Sequence, residues 1–533
     1  MKSHSIIKNL KKPDPQAIWA AGLTIIYFFF EEFLFDLPNA KNAVAISNKG
    51  ASEYAVWLMS LLAGLVFMFF WFLWSLKAKP AVRIVFGVIF TAGVLLQYGY
   101  WNSLHRLINS NDIALLGTTT AQTWRTAFDL YFSWWGLLVC LPYIALLVAF
   151  HDISTAGWIE LGLTIVFIIG VCCLFTWQHY FFSLGTSFTE VIHSLGTYTF
   201  FDNKPVSRES VRGIPGTGPD NNIVLIIDEG IRSDHLGING YSRDTTPYLE
   251  KISASGLLYN WGTMSSGGTC SYIANQLLLT GILPASDALE ITARAPTIFQ
   301  YAQARGYKNY YLDAQTDYLW NGLTTHDIQS IQWINTKNLS ATPSADLNAA
   351  NFIRSVVTNS SGNFIVLNKR GVHFMYENAY PPEWNLWGPL PPRQKYRQYP
   401  GLVTNPYDNG IRYNVDEFFR TLLPDNSSLK NTIYIYTSDH AQTLFEDGVT
   451  WLHCNDTHKE AAVPFMIIGR LVNPLDLKFP AAHFNILPTI LDLMDIPATS
   501  LSFTYQSSLL DLDKKRHERI FLDGAMKVVN FDP

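Results

Sequence analysis

Apolar positions crowd the first third of the chain, and beyond residue 180 they fall into short runs separated by polar stretches. Five runs, at 17–36, 55–76, 82–101, 128–150 and 158–178, reach the length of about 20 mainly apolar residues that crosses a hydrocarbon layer. They predict a transmembrane domain of five helices over residues 1–180. Residues 179–201 mix aromatic and polar side chains and suit an interfacial helix or loop. The Gly-, Pro- and Ser-rich stretch VSRESVRGIPGTGPDNN reads as a linker, so 181–221 joins two domains. From Asn222 onward NIVLIID, KNYYLDA, NFIVLN and NTIYIYTSD alternate with helix-like stretches, predicting an α/β sheet domain over 222–533.

Charge orients the first domain. Lys2, Lys8, Lys11 and Lys12 precede the first run, and Lys77, Lys79 and Arg83 follow the second. The positive-inside rule then puts the N-terminus in the cytoplasm. The first run has no small-residue cleavage site and reads as a retained anchor. An odd number of spans leaves the α/β domain on the far side of the membrane, which in a bacterium is the periplasm or the cell exterior. Glu31, Glu32, Asp129 and Glu160 fall near span ends and read as headgroup-level positions. A net charge of -5 without any basic stripe argues against a nucleic-acid partner. Five cysteines are too few for a disulfide scaffold. Cys140, Cys172 and Cys173 lie in apolar runs, and only Cys270 and Cys454 fall in the α/β domain.

Chemistry-bearing residues cluster at strand ends, where open α/β sheets carry their functional groups. NIVLII runs into Asp228-Glu229, NFIVLN leads through KRG to His373, and TIYIYTS runs into Asp439-His440, with His453 in the loop beyond. Carboxylates and imidazoles converging on one edge suit a divalent metal, zinc or manganese. The stretch GGTCSYIANQLLLTG offers three nucleophiles in a row, Thr269, Cys270 and Ser271, and the stretch alone leaves the choice open.

IVLIIDEGIRSDHLGINGYSRDTTPYLEKI, SSGGTCS, GYKNYYLDAQTD, NPYDNGIRYNVDEFF, IYIYTSDHAQTLFEDGVTWLHC and HFNILPTILDLMDI together resemble the membrane-anchored phosphoethanolamine transferases of the alkaline phosphatase/sulfatase superfamily, which include the lipid A-modifying enzymes. The five preceding runs match that family by layout rather than by motif. The resemblance implies an alkaline-phosphatase/sulfatase-like fold for the periplasmic domain. In this superfamily the nucleophile opens a helix and a Thr-Gly pair follows nine and ten positions later; Thr280-Gly281 then points to Ser271. The transferases' own register, two residues past the match to Thr269, points to Ser271 as well. Serine departs from the family's usual threonine, and Thr269 remains the alternative.

The resemblance further implies Glu229, Ser271, Asp439 and His440 as ligands of Zn2+, one ion or two, with Mn2+ the lesser choice. His373 and His453 match two more histidines that bind a second metal or the oxygens of the transferring phosphoryl group. Asp228 stands where the family commonly has glycine and could orient a ligand. The family's usual disulfides are missing. Cys270 adjoins Ser271 and Cys454 adjoins His453, so a disulfide between them and two thiols are both open. The implied reaction moves phosphoethanolamine from phosphatidylethanolamine, through a Ser271 ester, to a hydroxyl or phosphate of an envelope glycolipid or glycan such as lipopolysaccharide lipid A or core. The alternative is transfer of phosphoglycerol to a periplasmic glucan or teichoic-type polymer. A sulfatase's C/S-x-P-x-R signature is absent, since the residues read S-Y-I-A-N.

Overall fold

The computed structural model describes residues 14–28, 30, 51–104, 108, 113, 132, 134–150 and 187–197, then 207–532 apart from 212–213, 215–217, 316–320, 325–326, 337–343, 393–394, 426, 449, 472–473 and 502. The chain forms two compact units, Met1–Lys204 and Pro205–Pro533.

In the first unit the helices Ala51–Lys77 and Pro80–Leu104 follow each other almost without a connection, and Trp134–Ala149 and Ser187–Thr197 pack beside them. Their shared core is aromatic: the ring of Phe90 lies 5.6 Å from Phe72, 4.7 Å from Tyr143 and 5.0 Å from Phe188. Arg83 is buried and turns its guanidinium onto the carbonyls of Ala78 and Phe150. Such a cation satisfies carbonyl groups left over at helix ends. Among the described residues one helix, Pro80–Trp101, is long and apolar enough to cross a membrane, with 22 residues and a mean hydropathy of 1.8. Shorter apolar helices, Pro15–Phe28, Gly64–Lys77 and Trp134–Ala149, overlap three more of the expected spans. The fifth run, 158–178, lies outside the described residues, as do Lys2, Lys8, Lys11, Lys12, Glu31, Glu32, Asp129, Glu160, Cys172, Cys173 and most of 102–127.

Among its described residues the second unit has eleven strands between its helices: β1 (Asn222–Asp228), β2 (Leu258–Ser265), β3 (Lys308–Asp313), β4 (Gln332–Asn335), β5 (Asn363–Asn368), β6 (Thr432–Ser438), β7 (Thr443–Leu444), β8 (Trp451–Leu452), β9 (Ala462–Ile468), β10 (Ile520–Leu522) and β11 (Val528–Asn530). Seven join in one sheet in the order β2-β9-β6-β1-β5-β3-β4. β1 runs parallel to β5 and β6, β5 to β3, and β3 to β4, while β9 and β2 are antiparallel. All seven residues of β1 are buried, which explains its unbroken apolar run: a parallel strand covered on both faces has no polar side to show. Ile223, Leu225 and Ile227 pack with Leu278 and Leu279 of the helix Ser271–Thr280, Phe299 of Ile298–Arg305 and Ile490 of Ile486–Leu493. Because β1, β3, β5 and β6 are parallel, their carboxyl ends open on one edge, and whatever follows each strand meets there.

Candidate active site

Glu229 follows β1, and Asp439-His440 follow β6, its neighbour in register. Backbone bonds tie the two turns together: Asp439 N donates to Asp228 O at 2.9 Å, and Gly230 N donates to Asp439 Oδ1 at 3.3 Å. Ser271 is the first residue of the helix Ser271–Thr280, with Cys270 as its N-cap. Its Oγ lies 3.3 Å from Glu229 Oε2 and 3.0 Å from His440 Nε2. His440 Nδ1 donates to the Ala441 carbonyl at 2.8 Å, which leaves Nε2 facing Ser271 and both carboxylates.

Electrostatics make this cluster unstable as it stands. Glu229, Asp439 and His440 are buried, and ligand atoms from all three lie within 4.8 Å of one another. Burial, with the Glu229 charge beside it, pushes the Asp439 carboxyl up to about 8. Burial alone would lower His440, but the carboxylates of Asp439 and Glu229 outweigh it and raise the imidazole to about 10. Glu229 Oε1 and Asp439 Oδ2 make no hydrogen bond, although they lie 3.3 Å and 3.5 Å from His440 Nε2. Buried oxygens without a donor are expensive, and a cation among them removes the penalty. Tetrahedral zinc with bonds of about 2.0–2.2 Å sets its ligands about 3.3–3.6 Å apart. The separations of 3.3 and 3.5 Å from His440 Nε2 to the carboxylates and of 3.3 Å from Ser271 Oγ to Glu229 fit that spacing, and the 3.0 Å from Ser271 Oγ to His440 Nε2 is slightly tighter.

Asp228 points away from Ser271. Its Oδ1 accepts from Glu229 N at 3.0 Å, and its Oδ2 accepts from Tyr436 at 3.0 Å and from Lys369 Nζ at 2.5 Å. Burial pushes this carboxyl up to about 6 against the pull of Lys369. These bonds fix the backbone of the Glu229 turn. Two residues that the sequence reading passed over share the work. Gln315, just past β3, donates from Nε2 to Glu229 Oε2 at 3.1 Å and to Lys369 O at 2.6 Å. Lys369, just past β5, is fully buried. The strand-end rule that singles out Glu229 reaches both positions. Gly371 (φ +54) belongs to the same junction, since a Cβ there would come within 2.4 Å of Asp228 Oδ1 and 2.7 Å of Glu229 N.

The three neighbouring nucleophile candidates separate cleanly in space. Thr269 is completely buried and donates its hydroxyl to Asn455 O at 2.8 Å. Its backbone is held by Leu522 O on one side and Cys454 N on the other, at 2.9 and 2.8 Å. Cys270 is bonded to Cys454 in a disulfide. Only the Ser271 hydroxyl faces Glu229 and His440. His453 stacks its ring 4.2 Å from that of His440. His373 is exposed at the same edge, close enough for its charge to act on Glu229. His483, another residue the sequence reading did not single out, accepts from Gly267 N at 3.1 Å, and burial lowers its pKa to about 3. It braces the nucleophile loop as a neutral imidazole.

The GYSRD and NPYDNG stretches meet beside the site and not in it. Asp408 accepts from Tyr241 at 2.8 Å and from Arg243 at 2.7 Å, and pairs with His235 Nδ1 at 2.7 Å. Tyr407 donates to Gly230 O at 2.6 Å and accepts from Arg232 N at 2.9 Å. These bonds hold the segment directly after Glu229.

The chain is similar to known proteins in sequence and in fold. The sulfatase family model matches residues 221–496, just over half of the chain. The Kdo(2)-lipid A phosphoethanolamine 7''-transferase of Escherichia coli is 25% identical over 304 residues, covering 52% of each chain. Phosphatidylethanolamine transferase Mcr-1 of Escherichia coli is 22% identical over 299 residues, covering 52% of this chain and 54% of its own. The chain spans about half the length of the curated relatives it matches. Among solved structures, lipooligosaccharide phosphoethanolamine transferase A (EptA) of Neisseria meningitidis, an integral membrane protein, superposes with a TM-score of 0.61 at 19% identity, over 90% of this chain and 96% of its own. The periplasmic domain of Escherichia coli EptC, solved as a zinc complex, gives 0.51 at 19% identity, over 61% of this chain and 97% of its own. With its catalytic edge on the sulfatase framework and relatives of this kind, the chain belongs to the sulfatase family and resembles its membrane-anchored phosphoethanolamine transferases.

Proposed function

We propose that the protein transfers phosphoethanolamine from phosphatidylethanolamine to a hydroxyl or phosphate of a cell-envelope glycolipid or glycan, with lipopolysaccharide lipid A or core as the acceptor. The observation that carries this reading is Ser271 Oγ, at a helix start, within 3.3 Å of Glu229 and 3.0 Å of His440. Glu229, Asp439, His440 and Ser271 would hold zinc, and zinc there supplies Lewis acidity that makes a serine hydroxyl nucleophilic near neutral pH. Ser271 Oγ attacks the phosphorus of the lipid phosphodiester, the P–O bond to diacylglycerol breaks, and that oxygen takes up a proton. A phosphoethanolamine ester remains on Ser271, and the acceptor oxygen displaces it in line. The helix start offers backbone N–H groups to the phosphoryl oxygens. His453 and His373, at the same edge, move protons to the leaving oxygen and from the acceptor.

The donor is a bilayer lipid, which gives the apolar first unit its purpose. The proposed layout has five spans in residues 1–180, a connecting segment 181–221, the N-terminus in the cytoplasm and the catalytic domain 222–533 in the periplasm. The activities of the relatives, a lipid A phosphoethanolamine transferase and a phosphatidylethanolamine transferase, and the zinc complex of EptC support the donor, the acceptor class and the metal.

The test is intact-mass spectrometry of the protein and its Ser271→Ala variant with zinc and phosphatidylethanolamine. A phosphoethanolamine-sized adduct on the unsubstituted protein only, with diacylglycerol released, is the expected result. An adduct formed from phosphatidylglycerol instead would establish the phosphoglycerol alternative. An adduct that survives in the variant would sink Ser271.

A further inference from the structure

Beside the catalytic edge lies a cavity of about 100 Å³ whose walls include Arg370, Gly371, Asn378, Tyr380, Tyr413 and Asn414. It shares a wall with the site. Gly371 presses on the backbone of Glu229, and Arg370 lies three residues before His373 on the loop that leaves β5. The far wall comes from one long helical stretch, Thr404–Leu422, which widens to a π-helical turn over Arg412–Glu417. That turn supplies both Tyr413 and Asn414 to the cavity. Such turns are uncommon and recur at functional sites.

The polar groups around this cavity divide into committed and uncommitted ones. The Asp346 carboxylate, on the same wall, accepts from Arg370 N at 2.8 Å and Gly371 N at 3.0 Å. Asn414 Nδ2 donates to Ala379 O at 2.7 Å, and Tyr380 accepts from Asn409 at 3.3 Å. Lys369, the other basic residue of the loop, is spent on Asp228. Two side chains are left. The exposed guanidinium of Arg370 and the exposed amide of Asn378 make no hydrogen bond or ion pair among the described residues. The two tyrosine rings add apolar faces, and Trp384 packs 5.1 Å from Tyr413 to stiffen that side.

A free guanidinium fork pairs best with a phosphate or carboxylate. The two tyrosine rings and the convergent polar groups suit one edge of a ring and its charged substituent, and a cavity of about 100 Å³ takes that part of a ligand rather than a whole small molecule. Together they select a ring with apolar C–H faces, hydroxyls and one negative charge. We propose that this cavity is an acceptor subsite for an anionic sugar, with Arg370 pairing with its charge and Asn378 with its hydroxyls. Arg370 thereby sets which acceptors reach the edge where Ser271 reacts. The proposal rests on the transferase reading for its purpose, and its test does not depend on turnover.

The test is isothermal titration calorimetry of the full chain in detergent with N-acetylglucosamine 1-phosphate, glucuronic acid and neutral N-acetylglucosamine. At least one charged sugar is expected to bind about tenfold or more tighter than the neutral one. The arm that does so identifies phosphate or carboxylate as the charge. Arg370→Gln is expected to abolish that preference, Arg370→Lys to retain part of it, and Asn378→Ala to weaken charged and neutral sugars alike. Equal binding of charged and neutral sugars overturns the proposal. So does a preference that survives Arg370→Gln, which would put the anion at Ser271 instead. If the binding pattern holds while phosphatidylethanolamine is not turned over, the transferase reading falls and the sugar site stands.

Discussion

Cys270 and Cys454, 184 positions apart in sequence, are joined by a disulfide that fastens the residue before Ser271 to the residue after His453. The bond runs beside a backbone contact, Cys454 N to Thr269 O at 2.8 Å, so the nucleophile loop and the histidine loop move as one. Closing so long a loop removes about 5 kcal/mol of chain entropy from the unfolded state. Cys454→Ser is expected to lower Tm and slow transfer, and treating the unsubstituted protein with dithiothreitol should do the same. Thermal melts beside a diacylglycerol-release assay check this, and unchanged values in both would contradict the coupling.

Thr269 and Ser271 should fail in different ways. Ser271→Ala removes the reacting oxygen and should leave the fold intact with no adduct. Thr269→Val leaves the Asn455 carbonyl without its donor, a loss of about 1–3 kcal/mol for a buried group, yet should still form the adduct. Intact mass and Tm measured on both variants separate the two roles.

Asp439→Asn should empty the metal site. It removes one of the two negative charges that make a cation favourable beside Glu229 and His440. Bound zinc, measured by elemental analysis after dialysis, is expected to fall about tenfold or more, and chelation of the unsubstituted protein should lower its Tm.

Lys369 and Asp228 form a buried ion pair with no solvent on either side chain. Lys369→Met strands a buried carboxylate and should destabilise by about 3–5 kcal/mol. Adding Asp228→Asn should recover most of that loss while leaving the Glu229 turn less well held. A double-mutant cycle read by thermal denaturation tests the coupling, and purely additive effects would rule it out.

Asp416 gives a pH signature away from the metal site. Burial raises its carboxyl from 3.8 to about 6, although it accepts from the backbone of Tyr248 and Leu249. The folded state then binds the proton more tightly than the unfolded state. Its contribution to stability is full below about pH 4 and fades as pH rises through about 6. Asp416→Asn should therefore gain Tm relative to the unsubstituted protein as pH goes from 4 to 7. A pH-independent difference would exclude this linkage.

Glu229, Asp439 and His440 were legible because each follows an apolar run that can only be a buried strand, and strand ends carry function. Gln315 and Lys369 obey the same rule but lacked a residue type that announces chemistry. An amide and a lysine after a strand look like any surface turn until their burial is seen. In the sequence Arg370 is one residue of the loop leading to His373, because an exposed arginine gains meaning only from the cavity beside it.

Local pattern alone determined the apolar first third, the α/β alternation that follows it, and the residues at the strand ends, since period and punctuation are properties of neighbouring positions. Tertiary structure decided everything that depends on distant segments meeting. The parallel order of β1, β5 and β6 brings Glu229, Lys369 and Asp439 to one edge, and the fold closes the Cys270–Cys454 pair. It also buries Thr269 while turning Ser271 toward His440. Two hydroxyls two positions apart differ in role because one faces the packed junction with Asn455 and the other the sheet's open edge, and only the folded chain distinguishes those directions.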